Sequence, residues 1–493
     1  MIAAHLPALQ IVIPLVSAPL CALIPSGRAA WMFATAASWL ALAMAAGLLA
    51  EVVENGPLDY QMGGWAAPWG IAYHVDLLGA LVLVIVSGIG ALVCPAFQLT
   101  VEREIAAEHQ PLFYTAYLLA LTGMLGIAIT GDVFNLYVFL EIASLASYTL
   151  VALGRDRRAL AAAFQYLVLG TIGATFILIG IGLLYMMTGT LNMADLAARL
   201  PALWDARPVR AAFAFIVVGA GLKFALFPLH WWLPNAYTHA PSVVSAFLAG
   251  TATKVGVFIL LRFVFSVFGV VFAFDIMPLG SILTALGLIA ILYGSLAAIF
   301  QDNLKRMLAF SSIAQIGYIV LGIGLANLNG LIAGLVHLFN HAAMKAALFL
   351  ALAAVFHRIG AVDMASMRGL GRRMPYTMAA FVVAGASLVG IPLTVGFVSK
   401  WYLLLAAVEA GQWTVVAVVV FGSLLALIYV LRVIEAAYFQ PAPDGSGDIR
   451  EAPLTLLAPL MALAFACLYF GVNTSLTVGV ARVAALGLWG GYL

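Results

Sequence analysis

The sequence predicts an all-α polytopic membrane protein of about fourteen spanning helices. Three observations predict it. Hydrophobic residues make up 65% of the 493 and charged residues only 9%, where a soluble protein of this length needs roughly a quarter charged to cover its surface. Apolar runs of about 20 residues, the length of one bilayer crossing, recur along the whole chain. The polar segments between them are short, the longest being 51–74, 189–209, 358–375 and 440–452, which leaves no room for a soluble domain.

Taken in order, the expected spans are 6–24, 30–52, 75–97, 112–130, 132–153, 161–188, 210–229, 241–264, 276–300, 306–326, 329–357, 376–408, 413–439 and 453–474. The first has no Lys or Arg ahead of its apolar run and so lacks the basic region of a cleaved signal; it reads as a spanning helix. Cys21, Cys94 and Cys467 lie in apolar runs without metal-ligand or disulfide spacing and read as packing residues. Cationic bias orients the bundle. With the N-terminus outside, the cytoplasmic loops hold Arg28, Arg103, Arg155, Arg157, Arg158, Lys305, Arg306, Arg358, Arg368, Arg372, Arg373, Arg432 and Arg450. The opposite side holds only Arg199, Arg207, Arg210, Arg262 and Arg482. This predicts N-out, C-out topology in a prokaryotic inner membrane. Trp65 and Trp69 suit an interfacial aromatic belt.

Four cationic residues remain, Lys223, Lys254, Lys345 and Lys400, and all lie inside expected spans. The chain has five lysines, so most of them are in the bilayer, while every arginine sits in a loop or at a helix end. Lysine can lose its proton when desolvated and arginine effectively cannot. A protein that needs groups able to change protonation state within the membrane would make this choice. Glu141, in VFNLYVFLEIASLASYTLV (133–151), adds a lone carboxylate. Each such group at the bilayer centre costs about 2.5–3.5 kcal/mol, so the five together cost ~10–17 kcal/mol, comparable with the stability of a whole domain. Any one of them alone reads as a snorkelling side chain or a satisfied ion pair; five on five helices point to function.

Histidines extend the pattern. His337, His341 and Lys345 stand at i, i+4 and i+8 in LVHLFNHAAMKAALF, on one helix face and over about 12 Å of axis. A metal site there would have two nitrogen ligands beside a cation and no carboxylate, so no metal is expected. Pro228 follows Lys223 by five residues and Pro392 precedes Lys400 by eight. Broken helices with an ionisable group beside the break, one in each half, are the pointer to a repeat-built transporter, and freed carbonyls at the break can hold water. The seventh and twelfth spans then correspond if helices 4–8 and 9–13 are repeats. The expected organisation is a single membrane domain: N-terminal helices in 6–97, repeats in 112–264 and 276–439, and a final helix with its tail in 453–493. Glu141 is expected to oppose Lys223. When that pair separates, Lys223 would pass its proton to Lys254 and on to the His337–His341–Lys345 face, with Lys400 as the terminal site.

The stretches GDVFNLYVFLEIASLASYTL, GLKFALFPLHWWLPNAYTHAPSVVSAFLAGTATKVGVF, DNLKRMLAFSSIAQIGY, NHAAMKAALFLALA and GIPLTVGFVSKW resemble the antiporter-like subunits of respiratory complex I and of Mrp cation/proton antiporters. The resemblance covers residues 60–435. It implies fourteen helices with inverted repeats of five, and a proton path that falls by motif on Glu141, Lys223, Lys254, His337, His341 and Lys400. DYQMGGWAAPWGIAYHVDLLGALV and the lysine at 400 resemble the D-type branch of the Mrp antiporters. Partners implied are proteins like Mrp A, B, C, E, F and G, or the membrane arm of a redox complex, with protons and Na+ as transported ions.

Three functions compete: a proton-translocating subunit of a cation/proton antiporter, the same module in a redox-driven complex, and a stand-alone solute carrier. The chain has no cysteine cluster for iron–sulfur centres and no nucleotide loop. No cofactor, no catalytic turnover and no nucleic-acid partner are therefore expected. A solute carrier would gather its polar groups in one pocket rather than string them over five helices, which ranks it third. A sodium site wants several oxygen ligands, whereas the mid-span groups are one acid among four lysines; the chain itself is expected to carry protons.

Overall fold

The computed structural model describes residues 5–442 and 449–490. The expected loop 440–452 and the C-terminal tail therefore lie partly outside the described residues. The chain is a helical bundle: α1 (Leu6–Leu23), α2 (Gly27–Asn55), α3 (Leu77–Glu104), α4 (Gln110–Ile129), α5 (Val133–Ala152), α6 (Arg158–Thr188), α7 (Met193–Arg199), α8 (Arg207–Lys223), α9 (Trp232–His239), α10 (Ser242–Leu261), α11 (Leu279–Ile299), α12 (Leu304–Gly324), α13 (Leu328–Ile359), α14 (Leu370–Arg373), α15 (Pro375–Val389), α16 (Val395–Glu409), α17 (Trp413–Phe439), α18 (Leu454–Val472) and α19 (Ser475–Trp489). It is an all-α polytopic membrane protein. Twelve helices among the described residues are long and apolar enough to span unaided.

Two of the fourteen expected spans do not run through. The seventh is α8, seventeen residues long, then an irregular stretch, then α9. The twelfth is split into α15 and α16, fifteen residues each. Both breaks coincide with the prolines that mark them in the sequence. Two elements were not expected. The loop 51–74 contains an antiparallel hairpin, β1 (Leu58–Gln61) with β2 (Ala72–Val75). The tail beyond α18 is helical: after Asn473 the chain resumes as α19, whose Trp489 packs on Phe265 and Phe274.

Helix starts follow side-chain capping. Asp76, Asp132, Asn303 and Asn327 each accept a backbone N–H three residues on, at 2.7–3.1 Å. Each thereby satisfies a donor that the first turn leaves open. At Asn303 the cap places Lys305 inside α12 rather than in the preceding loop, a correction to the expected start at 306.

Nearly every residue of α10, α12 and α13 is buried, whereas α6, α17 and α18 keep most of their surface outward. The charged residues of interest are on or beside the central three. Close helix approach uses small residues, as expected in lipid: a Cβ on Gly173 or Gly219 would come within 3.1 Å of the other helix, so α6 and α8 touch through bare backbone. At one end of the bundle Arg262 is 4% exposed and grips Asp76 with two bonds of 2.7 and 2.8 Å, pinning the end of α10 to the start of α3.

Candidate proton-transfer site

Lys223 ends α8 because the chain cannot continue as helix. Pro228 has no N–H and biases the residue before it away from helical geometry. Ala225 adopts a left-handed conformation (φ 60°), and Leu226 N–H turns back to Gly221 O at 2.8 Å. The freed carbonyl of Leu222 is taken by the Trp232 indole at 2.9 Å, and Trp232 is stacked on Tyr166 with ring centroids 3.9 Å apart. The break therefore holds Lys223 at a helix terminus in the bundle interior, 8% exposed. Its Nζ donates to Ser144 Oγ at 2.8 Å and Tyr148 OH at 3.5 Å, both on α5.

Glu141 lies one turn from Ser144 on the same helix. It is near enough for its charge to act on Lys223, but no ion pair within 4.0 Å joins the two among the described residues. Glu141 Oε1 is buried without a hydrogen-bond partner in the protein. The expected opposition of acid and amine thus takes the form of two groups held apart, with the Ser144 hydroxyl beside the lysine.

Lys400 sits at the second break. Gly390 (φ 90°) and Leu393 (φ 70°) turn the chain out of α15, leaving carbonyls that no helical N–H can reach. Lys400 Nζ takes two of them, Leu388 O at 3.2 Å and Val389 O at 2.9 Å, with Ser423 Oγ at 2.9 Å as third acceptor. An ammonium has three donors, so all its protons are satisfied. The Tyr318 ring lies 4.6 Å beneath it, a favourable face for a cation. Only glycine fits at 390: a Cβ there would lie 2.9 Å from Lys400 Cδ.

Between the two breaks, α10 and α13 carry the remaining groups. Lys254 is fully buried and donates to Ala249 O and Thr253 Oγ1. His337 is fixed at both nitrogens, Nδ1 to Ser399 Oγ at 2.7 Å and Nε2 to Gln315 Oε1 at 3.0 Å. Ser399 precedes Lys400 on α16, so the helix that carries the second lysine also anchors His337, while among the described residues Lys400 Nζ itself hydrogen-bonds only to Leu388 O, Val389 O and Ser423 Oγ. His341 stacks on His337 with ring centroids 6.1 Å apart, and neither of its nitrogens has a partner in the protein. Lys345 donates to Leu308 O at 2.9 Å and to Ser311 Oγ on α12.

The structure pairs His337 with His341. Lys254, Lys345 and Lys400 are each buried and held by their own partners, and no hydrogen bond among the described residues joins them to the two imidazoles. Glu141 and Lys223 form a second group, and no hydrogen bond among the described residues joins it to Lys254. The sequence reading missed the groups that hold these residues: Ser144, Tyr148, Ser311, Gln315, Tyr318, Ser399 and Ser423. For Ser144 and Tyr148 the spacing of one and two turns from Glu141 was an available signal; Ser311, Gln315, Tyr318 and Ser423 stand at no such spacing from a predicted charged residue. The sequence reading also placed Lys305 in a cytoplasmic loop and did not single out Glu104. Among the described residues no three His, Cys, Asp or Glu side chains are grouped to hold a metal.

Comparison with known proteins places this geometry. Residues 130–426 match the family described as NADH:quinone oxidoreductase/Mrp antiporter, TM. The chain is 44% identical to the N-type subunit of the NADH-quinone oxidoreductase of Desulforudis audaxviator, over 95% of this chain and 96% of that protein. It is 32% identical to the D-type subunit of the Na(+)/H(+) antiporter of Alkalihalophilus pseudofirmus, over 84% of each. A chain of the Mrp complex from Dietzia sp. DQ12-45-1b superposes with a TM-score of 0.90 at 28% identity, covering 100% of this chain and 98% of that one.

Proposed function

The chain belongs to the NADH:quinone oxidoreductase/Mrp antiporter transmembrane family, and from that premise we propose that it is the proton-translocating subunit of a multi-subunit Na+/H+ antiporter. The observation that carries this reading is the burial of Lys254, His341, His337 and Lys400, the four groups of the proposed succession. The succession consists of amines and imidazoles, the side chains whose charge can change in a desolvated site. It ends at a broken helix, where free carbonyls stabilise the charged form of the last amine.

In the proposed cycle, Glu141 and Lys223 set the state of the first half. When Glu141 is drawn away, Lys223 loses its stabilising charge and gives up a proton toward Lys254. His341, with both nitrogens unpartnered, relays it to His337 beside it, and from there the proton passes to Lys400. The inverted repeats of helices 4–8 and 9–13 would relate the two breaks. The partners would be other antiporter subunits of the Mrp A, B, C, E, F and G kinds, with Na+ handled at one of them or at an interface. On the cationic bias both termini face outside.

A second reading is the same module in the membrane arm of a redox-driven complex, favoured by the 44% identity to a quinone-oxidoreductase subunit. The chain would then pass protons while partner subunits carry out the redox chemistry. The two readings are separated by measuring Na+-driven proton movement in vesicles containing the assembled complex. Exchange that needs only a Na+ gradient, and falls about tenfold or more in Lys400→Ala, supports the antiporter. Proton movement that requires an electron donor supports the redox complex, and undiminished exchange in Lys400→Ala overturns the relay.

A further inference from the structure

Glu104 and Lys305 lie outside the succession described above, yet both are withdrawn from water. Glu104 ends α3, and its Oε1 is buried without a partner in the protein. Its Oε2 accepts the Ser242 N–H at 3.3 Å, at the start of α10. Lys305, 6% exposed in the first turn of α12, donates to Ala240 O at 2.9 Å and lies 5.9 Å over the Phe356 ring. An acid and an amine from two different helices are thus held by the same tripeptide, Ala240–Pro241–Ser242. They feel each other's charge, but no ion pair within 4.0 Å joins them among the described residues.

A purely structural latch would close such a pair, because buried ions repay their desolvation only through excellent direct geometry. Here the backbone of one segment holds the two groups apart, with the Ser242 hydroxyl buried beside them and unpartnered, an arrangement open to proton exchange. The groups on one side connect to water: His239 and Arg103 are partly exposed at this face, Arg103 reaching His357 O and Arg306 reaching Asn235 Oδ1 at 2.9 Å. On the other side lies Lys345. Lys305 and Leu308 are separated by about 4.5 Å of α12 axis, and Leu308 O accepts from Lys345 Nζ at 2.9 Å and from Ser312 Oγ at 3.0 Å. The first two turns of α12 therefore hold both amines. Along α10, in contrast, Ser242 is about 18 Å from Lys254.

We infer that Glu104 and Lys305 form the port by which protons from the arginine-rich face reach Lys345. The inference rests on the proton-translocating reading above. In each passage the Lys305 ammonium gives its proton along the start of α12 to the Lys345 amine, which is held there by Leu308 O and Ser311 Oγ. The Glu104 carboxyl then reprotonates Lys305 and is itself reprotonated from solvent. Lys345 is thereby a second inlet to the succession, beside the one at Lys223, and Lys400 its far end.

Arginine distinguishes transfer from latching, since it keeps the charge and cannot release the proton. In vesicles carrying the assembled complex, Lys305→Arg and Glu104→Gln are each expected to lower Na+-driven proton movement about tenfold with assembly unchanged. Lys305→Arg retaining more than half the wild-type rate overturns the inference. If Lys305→Arg fails to assemble, Glu104→Gln decides: a tenfold loss supports the port and a full rate overturns it. Glu141→Ala serves as the parallel control. If it abolishes exchange while Lys305→Arg retains it, only this inference falls; full exchange in Glu141→Ala brings down the parent reading and this one together.

Discussion

Lys223 and Lys400 show how one residue type can be held in two ways. Lys400 satisfies its three donors with two carbonyls released by its own broken helix and one serine. Lys223 depends on side chains of a neighbouring helix, Ser144 and Tyr148. Carbonyls at a break cannot rotate away, whereas hydroxyls on α5 move with that helix and with Glu141. Lys223 is thus the amine whose surroundings can change with conformation. Ser144→Ala should weaken its anchorage by about 1–3 kcal/mol, the cost of stranding a buried charged donor, and reduce transport severalfold. Proton flux in reconstituted vesicles checks this; a full rate would show that Tyr148 alone suffices.

At the scale of elements, the breaks in the seventh and twelfth spans do the positioning. Gly390 combines a left-handed φ of 90° with 2.9 Å from its missing Cβ to Lys400 Cδ. Gly390→Ala should therefore lower stability by about 1–3 kcal/mol and displace Lys400. Gly182, on α6 with open space around it, is the control, and Gly182→Ala should leave the stability within about 0.5 kcal/mol of wild type. Thermal unfolding of the two variants in detergent tests the contrast. Pro228 and Pro392 made both breaks legible in the chain. The cap at Asn303 was equally available, since an Asn directly before an apolar run is a helix start signal, and reading it would have placed Lys305 in the bundle.

At the scale of the whole molecule, the bundle end near the hairpin is tied by the Asp76–Arg262 pair. Burial raises the Asp76 carboxyl, but the Arg262 charge and its hydrogen bonds, together with the Gly79 N–H, win and lower it to about 2. A carboxyl depressed in the folded state contributes stability above its unfolded value of about 3.9. That contribution is lost as pH falls from there through about 2. The thermal midpoint of wild type should therefore show an acid loss in this window that Asp76→Asn lacks. At neutral pH Asp76→Asn should cost about 3–5 kcal/mol, because it leaves a buried guanidinium uncompensated. A pH series of unfolding midpoints for both proteins tests the two statements together.

Composition and hydropathy alone determined that this chain crosses a membrane many times, because the cost of a bare peptide group in lipid permits only helices or closed barrels. The placement of lysine but not arginine inside the spans, and of proline beside two of those lysines, already marked the charged residues of interest. Tertiary structure alone decided which of them meet. It set Lys223 on Ser144 rather than Glu141, fixed His337 between Ser399 and Gln315, and drew Lys305 into the interior. Those outcomes depend on how helices distant in sequence pack, and one-dimensional periodicity carries no record of a partner on another helix.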